Sequence, residues 1–268
     1  ITIRHLLTHC SGLGSGIRRG YTWSGYANGV SLALGEPSYG IAGLNYRYSD
    51  TNFILLGEIV RRVSGQPLDR FAERTVFGPL KMADTRFRPP GDLTQRIAPT
   101  TPMSGGSLLR GTVHDPTARP MGGVAGPAGL FTSALDLARY DAMILNRGEL
   151  DGVRILNSET VEQMTGVQSP KLVTVRRGLG WDIDSPYAGP RGRHFPRGSF
   201  GHTGWTGGSL WIDPYSRTTV IFHSNRTHLR GGRVVDLRKE IGTFAAEATG
   251  FDFTRMKGAL GPVNPAAE

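Results

Sequence analysis

The sequence predicts an α/β chain of the α+β type, in which helices come first and an antiparallel sheet flanked by helices follows. Three observations carry this. Phe53, Leu56, Val60 and Val63 recur at spacings of 3, 4 and 3, with Ile59 beside them, which is the period of a helix that buries one face. Ser209–Asp213 alternates polar and apolar residues and Thr218–Phe222 is β-branched and aromatic, with turn chemistry from Pro214-Tyr215-Ser216-Arg217 between them. Val234, Leu237, Ile241, Phe244 and Ala248 then return to a helical period that can cover one sheet face.

Composition agrees with a globular chain and removes several function classes. At 268 residues the chain can bury a full core, as one large domain or two interleaved ones. The net charge of +9 comes from arginine, since only Lys81, Lys171, Lys239 and Lys257 are lysines. The basic pairs Arg61-Arg62 and Arg176-Arg177 and the run Arg191 to Arg197 are scattered among glycines and acids. A nucleic-acid footprint would gather them on one element, so no nucleic-acid partner is expected. One cysteine, Cys10, excludes an internal disulfide framework. No apolar run approaches the roughly 18 residues of a membrane span, so no span is expected. The chain starts at Ile1 rather than methionine, which leaves localisation open; the sequence gives no oligomeric state.

In order along the chain, Thr2 can cap a short helix through Ile3, Leu6 and Leu7 that ends near Ser11-Gly12. His5 and His9 stand four apart, a metal-ligand spacing, but Leu6 occupies the place of the glutamate a zinc-protease helix needs, and no metal is expected. Residues 12–47 read as loops with at most short helices. Ser49 or Asp50 caps the clearest helix, and Gly65 followed by Pro67 stops it. Tyr48 therefore stands just outside a helix N-terminus, where the dipole favours negative charge and can lower a phenol's pKa. Packing alone would also account for a tyrosine there. Leu68–Phe77 is a second helix, and Gly78–Pro127 is too long for a plain connector, which suggests an active-site surround. Thr132 or Ser133 caps a helix through Leu137, Tyr140, Ile144 and Leu145, closed by Gly148. Asp151-Gly152 marks a turn, and Asn157 or Ser158 starts a helix through Val161 and Met164. Strands are expected at Leu172–Val175, Gly180–Ile183, Ser199–Gly204, Ser209–Asp213 and Thr218–Phe222.

Gly201, Gly204, Gly207 and Gly208 crowd eight residues at the head of the last hairpin. Glycine weakens a strand, so it marks either a bulge or turn or a place where a ligand comes close. His202-Thr203, a titratable ring and a hydroxyl among them, favours a ligand.

Ile1–Leu13, Tyr48–Gly65, Gly122–Leu137, Gly201–Pro214 and Ser224-Asn225-Arg226, in this order and spacing, resemble the serine hydrolases of the class C β-lactamase and penicillin-binding-protein superfamily. That family works with Ser-x-x-Lys, Tyr-x-Asn and Lys-Thr-Gly or His-Thr-Gly. Tyr48-Ser49-Asp50 matches the second motif and His202-Thr203-Gly204 the third. No serine stands three residues before any lysine; Thr254–Lys257 has only the spacing. The resemblance thus implies a sequence incomplete at its N-terminus, with the nucleophile upstream. It implies a DD-peptidase/β-lactamase-like fold with an interleaved helical subdomain. Residues 1–250 would be the C-terminal part of one catalytic domain, with helix and loop over about 1–165, sheet and last helix over about 172–250, and a loose tail at 251–268. Tyr48 and His202 would face each other across a cleft.

The chemistry implied is acyl transfer to serine, without a cofactor, on a small-molecule or peptide substrate. A serine hydroxyl needs a neighbour to take its proton. By resemblance Tyr48 would be that base, aided by the absent lysine and by His202, whose charge would depend on pH. Thr203 and Gly204 would line the substrate strand, and the Trp205 N–H would serve the oxyanion hole. Asp50 replaces the commoner asparagine, and an ionised carboxylate only accepts hydrogen bonds, which disfavours β-lactam hydrolysis and leaves esters and D-alanyl peptides. Two other readings stand beside this one. A different serine hydrolase would need a Gly-x-Ser-x-Gly elbow, which Gly29-Val30-Ser31-Leu32-Ala33 fails at its last position. The other is a non-catalytic penicillin-fold protein that binds cell-wall peptide or a protein partner.

Overall fold

Thr2 begins the first element. Its hydroxyl accepts from the His5 amide while the His5 ring accepts from the Thr2 amide, a reciprocal cap on α1 (Ile3–Leu7). The helix stops at Leu7 rather than near Ser11-Gly12, because His9 adopts φ 58°. That turn also takes His9 off the face that carries His5. The computed structural model describes residues 1–18, 22–227 and 234–256, and its chain forms two compact units, Ile1–Ser133 and Ala134–Glu268.

In the first unit α2 (Tyr26–Leu34) and α3 (Asp50–Ser64) pack on each other, and α1 packs on α3. Ser49 caps α3 by accepting from the Asn52 amide, and Gly65 ends it in the left-handed conformation. The helix α4 (Leu68–Ala72) continues as a π-turn through Glu73–Phe77. Beyond it, β1 (Arg86–Phe87), the hairpin β2 (Thr101–Pro102) and β3 (Leu108–Leu109), and β4 (Leu130–Phe131) order the Pro- and Gly-rich stretch, with β4 pairing back on β1. Val30, Ala33, Ile54, Val113, Ala118, Met121 and Ala125 form a common core, so this stretch is packed under the helices rather than draped over them. Glu58, only 4% exposed, accepts from Tyr26, Arg61 and Arg62. Those donors, Arg61 first, hold its carboxyl at about 2.

The second unit starts with α5 (Ala134–Leu145), so the helices expected to belong with the helical part are in the sheet unit. The hairpin of β5 (Glu149–Leu150) and β6 (Val153–Arg154) turns through Asp151-Gly152, both at positive φ, the hand that suits strand twist. Asn157 caps α6 (Ser158–Thr165). The sheet is wholly antiparallel, in the order β11 (Thr218–Phe222), β10 (Ser209–Asp213), β9 (Phe200–Thr203), β8 (Asp182–Asp184), β7 (Arg176–Arg177). The last hairpin falls where the alternation puts it. The first two strands do not. Pro170–Val173 closes as a turn, Val173 N–H donating to the Pro170 carbonyl, so no strand forms at Leu172–Val175. Gly180 sits at φ 85° inside a turn closed by Gly178 and Trp181, which delays β8 to Asp182.

The helix α7 (Val234–Ala248) corrects the sequence reading of its buried face. Leu237 and Phe244 are 49% and 60% exposed, while Val234, Arg238, Gly242, Thr243 and Ala246 are buried. The reason is close backbone packing: a side chain on Gly242 would overlap the Pro190 carbonyl, and one on Gly192 would overlap the Thr243 amide. Apolarity therefore did not choose the face. The expected loose tail is ordered at its start, where Phe253–Met256 makes a 3-10 turn and Phe253 packs on Phe195. Residues 257–268 of that tail lie outside the described residues.

Candidate active site

Two groups of predicted site residues form, one in each unit. Tyr48 and Asp50 come together at the N-terminus of α3. The segment Thr8–Ser15 puts them there by running alongside residues 38–50. Tyr39 N–H donates to the Gly12 carbonyl, Arg47 N–H to His9 at 2.9 Å, and Asp50 N–H to Ser15 at 2.8 Å. Gly12 has to be glycine, since its φ is 81° and a Cβ would overlap the Gly40 carbonyl. Ser49, fully buried, donates to the Gly14 carbonyl at 2.5 Å, and its amide donates to His9 Nδ1 at 3.1 Å. Ser11 donates to Asn52 Oδ1 at 2.6 Å and ties the same segment to the first turn of α3.

His9 is the residue that sequence reasoning passed over here. Its ring, 1% exposed, lies 4.3 Å from that of Tyr48 and 5.1 Å from that of Phe53. Tyr48 and Phe53 hold the positions before and inside the helix that commonly staple to each other, and the imidazole packs against both. Tyr48 remains 36% exposed. Burial, and then the charge of Asp115, push the Asp50 carboxyl up to about 6, against the pull of a helix N-terminus. At neutral pH it is mainly ionised and accepts only; below that value it gains a donor.

In the second unit His202, Thr203, Gly204 and Trp205 come together at the end of β9. The β10 ladder follows β9 through Thr203, paired with Ser209, whereas β8 pairs with it only at Gly201. His202 Nδ1 lies 2.9 Å from the Thr203 carbonyl, which can only accept, so Nδ1 carries the proton. Burial and the buried Arg177 lower the ring to about 4. The pH-dependent cation expected at His202 is therefore a neutral imidazole across the neutral range. Trp205 is 72% exposed, with the Arg226 guanidinium 5.0 Å over its ring.

The glycines divide by cause. A Cβ on Gly201 would overlap the Leu210 carbonyl and the buried Trp211 ring, and one on Gly207 would overlap Ser224. Those two serve packing. At Gly204 and Gly208 the nearest atoms stand at 3.7 and 3.6 Å, so packing alone does not demand glycine there.

Arg238 was also missed, masked by an apolar stripe that seemed to define its helix. From α7 its side chain reaches the loop after β9, with Nε donating to the Gly207 carbonyl at 3.0 Å and a terminal nitrogen to those of Gly204 and Gly208 at 3.1 and 2.7 Å. No feature of the sequence marks it; at 5% exposure it is a buried arginine, which must satisfy its donors.

The first unit thus presents a phenol just before a helix N-terminus, and the second a His-Thr-Gly sequence at the end of a strand. The family model described as Beta-lactamase matches residues 1–242, and the chain belongs to that family of the serine hydrolase and penicillin-binding-protein superfamily. It is 37% identical over 203 residues to a provisionally named D-alanyl-D-alanine carboxypeptidase of Escherichia coli (strain K12), covering 69% of this chain and 46% of that protein. The chain thus spans about half the length of the curated relatives it matches. Among solved structures, a penicillin-binding-protein homologue from Caulobacter crescentus aligns with TM-score 0.69 at 23% identity, over 93% of this chain and 71% of its own. A β-lactamase from Mycobacterium bovis aligns with TM-score 0.64 at 23% identity, over 93% and 75%. These two likenesses bear out the mixed helical and antiparallel-sheet fold.

Proposed function

We propose that this chain supplies the proton-handling and substrate-binding parts of a serine hydrolase that works through an acyl-enzyme, on an ester or a D-alanyl peptide in preference to a β-lactam. One observation carries the reading: the end of β9 brings His202, Thr203 and Gly204 together, and packing does not demand glycine at Gly204, so a ring, a hydroxyl and a bare backbone stand side by side there. As the serine oxygen bonds the substrate carbonyl carbon, Tyr48 takes the hydroxyl proton. The carbonyl oxygen becomes an oxyanion that the Trp205 N–H stabilises. When the bond to the leaving group breaks, Tyr48 returns the proton to it, and water later releases the acyl group by the same route. The Thr203 hydroxyl holds a substrate carbonyl or carboxylate. Asp50, mainly ionised at neutral pH, cannot donate to a β-lactam carbonyl as an amide would.

Residues 1–268 contain no Ser-x-x-Lys, so the test uses the product of the whole reading frame. A fluorophosphonate should label one serine in it, and Tyr48→Phe should slow labelling on the order of a hundred-fold or more. Turnover of an aryl ester or a D-alanyl-D-alanine peptide should exceed that of a chromogenic cephalosporin. A product that takes no label and turns over none of the three would leave the non-catalytic binding reading in its place.

A further inference from the structure

The loop Gly204–Gly208 is built around one buried cation. The Gly204 carbonyl accepts from Arg238 and from the Gly207 amide at 3.1 Å, and the Gly208 carbonyl accepts from Arg238 and from the Gly204 amide at 2.7 Å. The Gly207 carbonyl accepts from Arg238 Nε and from Ser224 Oγ, both at 3.0 Å. Three peptide planes are therefore oriented by a single guanidinium, whose fork of donors is rigid.

The peptide between Gly204 and Trp205 is trans, as are all among the described residues. In a trans peptide the carbonyl and the next N–H point to opposite sides of the C–N bond. Drawing the Gly204 oxygen inward to Arg238 consequently aims the Trp205 N–H outward. Among the described residues that N–H meets no acceptor. The geometry points to Arg238 as the residue that positions the Trp205 amide donor, although it touches neither substrate nor the reacting atoms. This rests on reading that amide as the oxyanion donor. A neutral residue of similar length would leave the carbonyls of Gly204, Gly207 and Gly208 with one donor each instead of two, so their planes, and the Trp205 amide with them, would be held less tightly.

The test compares Arg238→Gln and Arg238→Lys in the product of the whole reading frame, with turnover counted per labelled active site. Losing one oxyanion donor costs about 10²–10³ in kcat, so misdirecting it should lower kcat roughly ten- to a hundred-fold with little change in KM. Affinity for a boronate that mimics the tetrahedral state should fall in parallel. Lysine keeps the charge but not the fork, so it should restore part of the loss, and it decides the matter if the glutamine variant does not fold. The backbone amide resonance of Trp205 should shift in either variant while those of Leu210–Ile212 stay. An Arg238 variant with kcat within about two-fold of wild type, or an unmoved Trp205 resonance, overturns the proposal. If the wild type itself proves silent, the serine-hydrolase reading falls, and the Trp205 resonance alone then decides what Arg238 does.

Discussion

The His9 imidazole lies 4.3 Å from the Tyr48 ring and accepts the Ser49 amide proton on Nδ1 at 3.1 Å. One buried ring thus holds both the phenol and the residue that caps the helix behind it. The arrangement depends on His9 at φ 58°, a conformation that asparagine and histidine tolerate better than most residues.

Two substitutions separate these roles. His9→Phe keeps a ring but leaves the buried Ser49 amide without its acceptor, which should destabilise the protein by about 1–3 kcal/mol. His9→Asn keeps an acceptor and the backbone conformation but removes the wall against Tyr48. It should be the more stable of the two and yet lose more turnover per folded molecule. Thermal unfolding read beside kcat/KM checks this, and turnover that tracks only the folded fraction in both would show that His9 does not position Tyr48.

His202 should stay uncharged over the working range. Its ring is held down to about 4, so kcat/KM for carboxylate-bearing substrates and for neutral esters should run parallel between about pH 5.5 and 8. His202→Lys should separate the two profiles. A selective fall for carboxylate substrates near the ordinary histidine value of about 6.5 that persists in Asp50→Asn would restore the imidazolium. The linkage has the matching sign: the unfolded ring binds a proton that the folded one refuses, so stability should decline as pH drops from about 6.5 towards 4.

Asp141 on α5 is 1% exposed, and neither carboxyl oxygen meets a hydrogen-bond donor among the described residues. Burial pushes it up to about 8. The folded state keeps a proton that the unfolded state has released, so stability contributed at low pH is lost as pH rises from about 4 to 8. At pH 7 the penalty is on the order of 4 kcal/mol. Asp141→Asn should therefore unfold at a higher temperature than wild type at pH 8, with the gap narrowing towards pH 4. A gap independent of pH would mean that Asp141 is ionised in the fold.

The glycines give a stability test. Gly201→Ala would drive a methyl into the Leu210 carbonyl and the Trp211 ring and should destabilise by roughly 2–3 kcal/mol. Gly204→Ala has its nearest neighbour at 3.7 Å and should change stability by less than about 1 kcal/mol. Denaturant midpoints for the pair check the division. Equal losses would put the constraint in the backbone rather than in packing.

What the sequence disclosed was local. The helix at Asp50–Ser64 with its Ser49 cap and Gly65 stop, and the hairpin from Ser209 to Phe222, depend on residues within a few positions of each other. The Tyr48 and His202 motifs were legible for the same reason. The failures are all non-local. Leu172–Val175 looks like a strand until Pro170 closes a turn over it, and Gly201 looks like a ligand approach until Trp211 is seen beneath it. The inward face of α7 is set by the Pro190–Gly192 turn, roughly 50 residues away in sequence, and no periodicity within the helix could report it.

That backbone-to-backbone seat has a consequence for how the chain can vary. Gly242 and Thr243 fit against residues 190–192 in a single rotational setting, and Arg238 stands one turn earlier on the same line. Each residue added or removed between Arg238 and Gly242 would swing the guanidinium about 100° around the axis and carry it off its three carbonyls. The helix therefore works as an indexed key, whose notch at Gly242 fixes the angle at which its tooth engages. The four-residue interval between them is fixed by geometry.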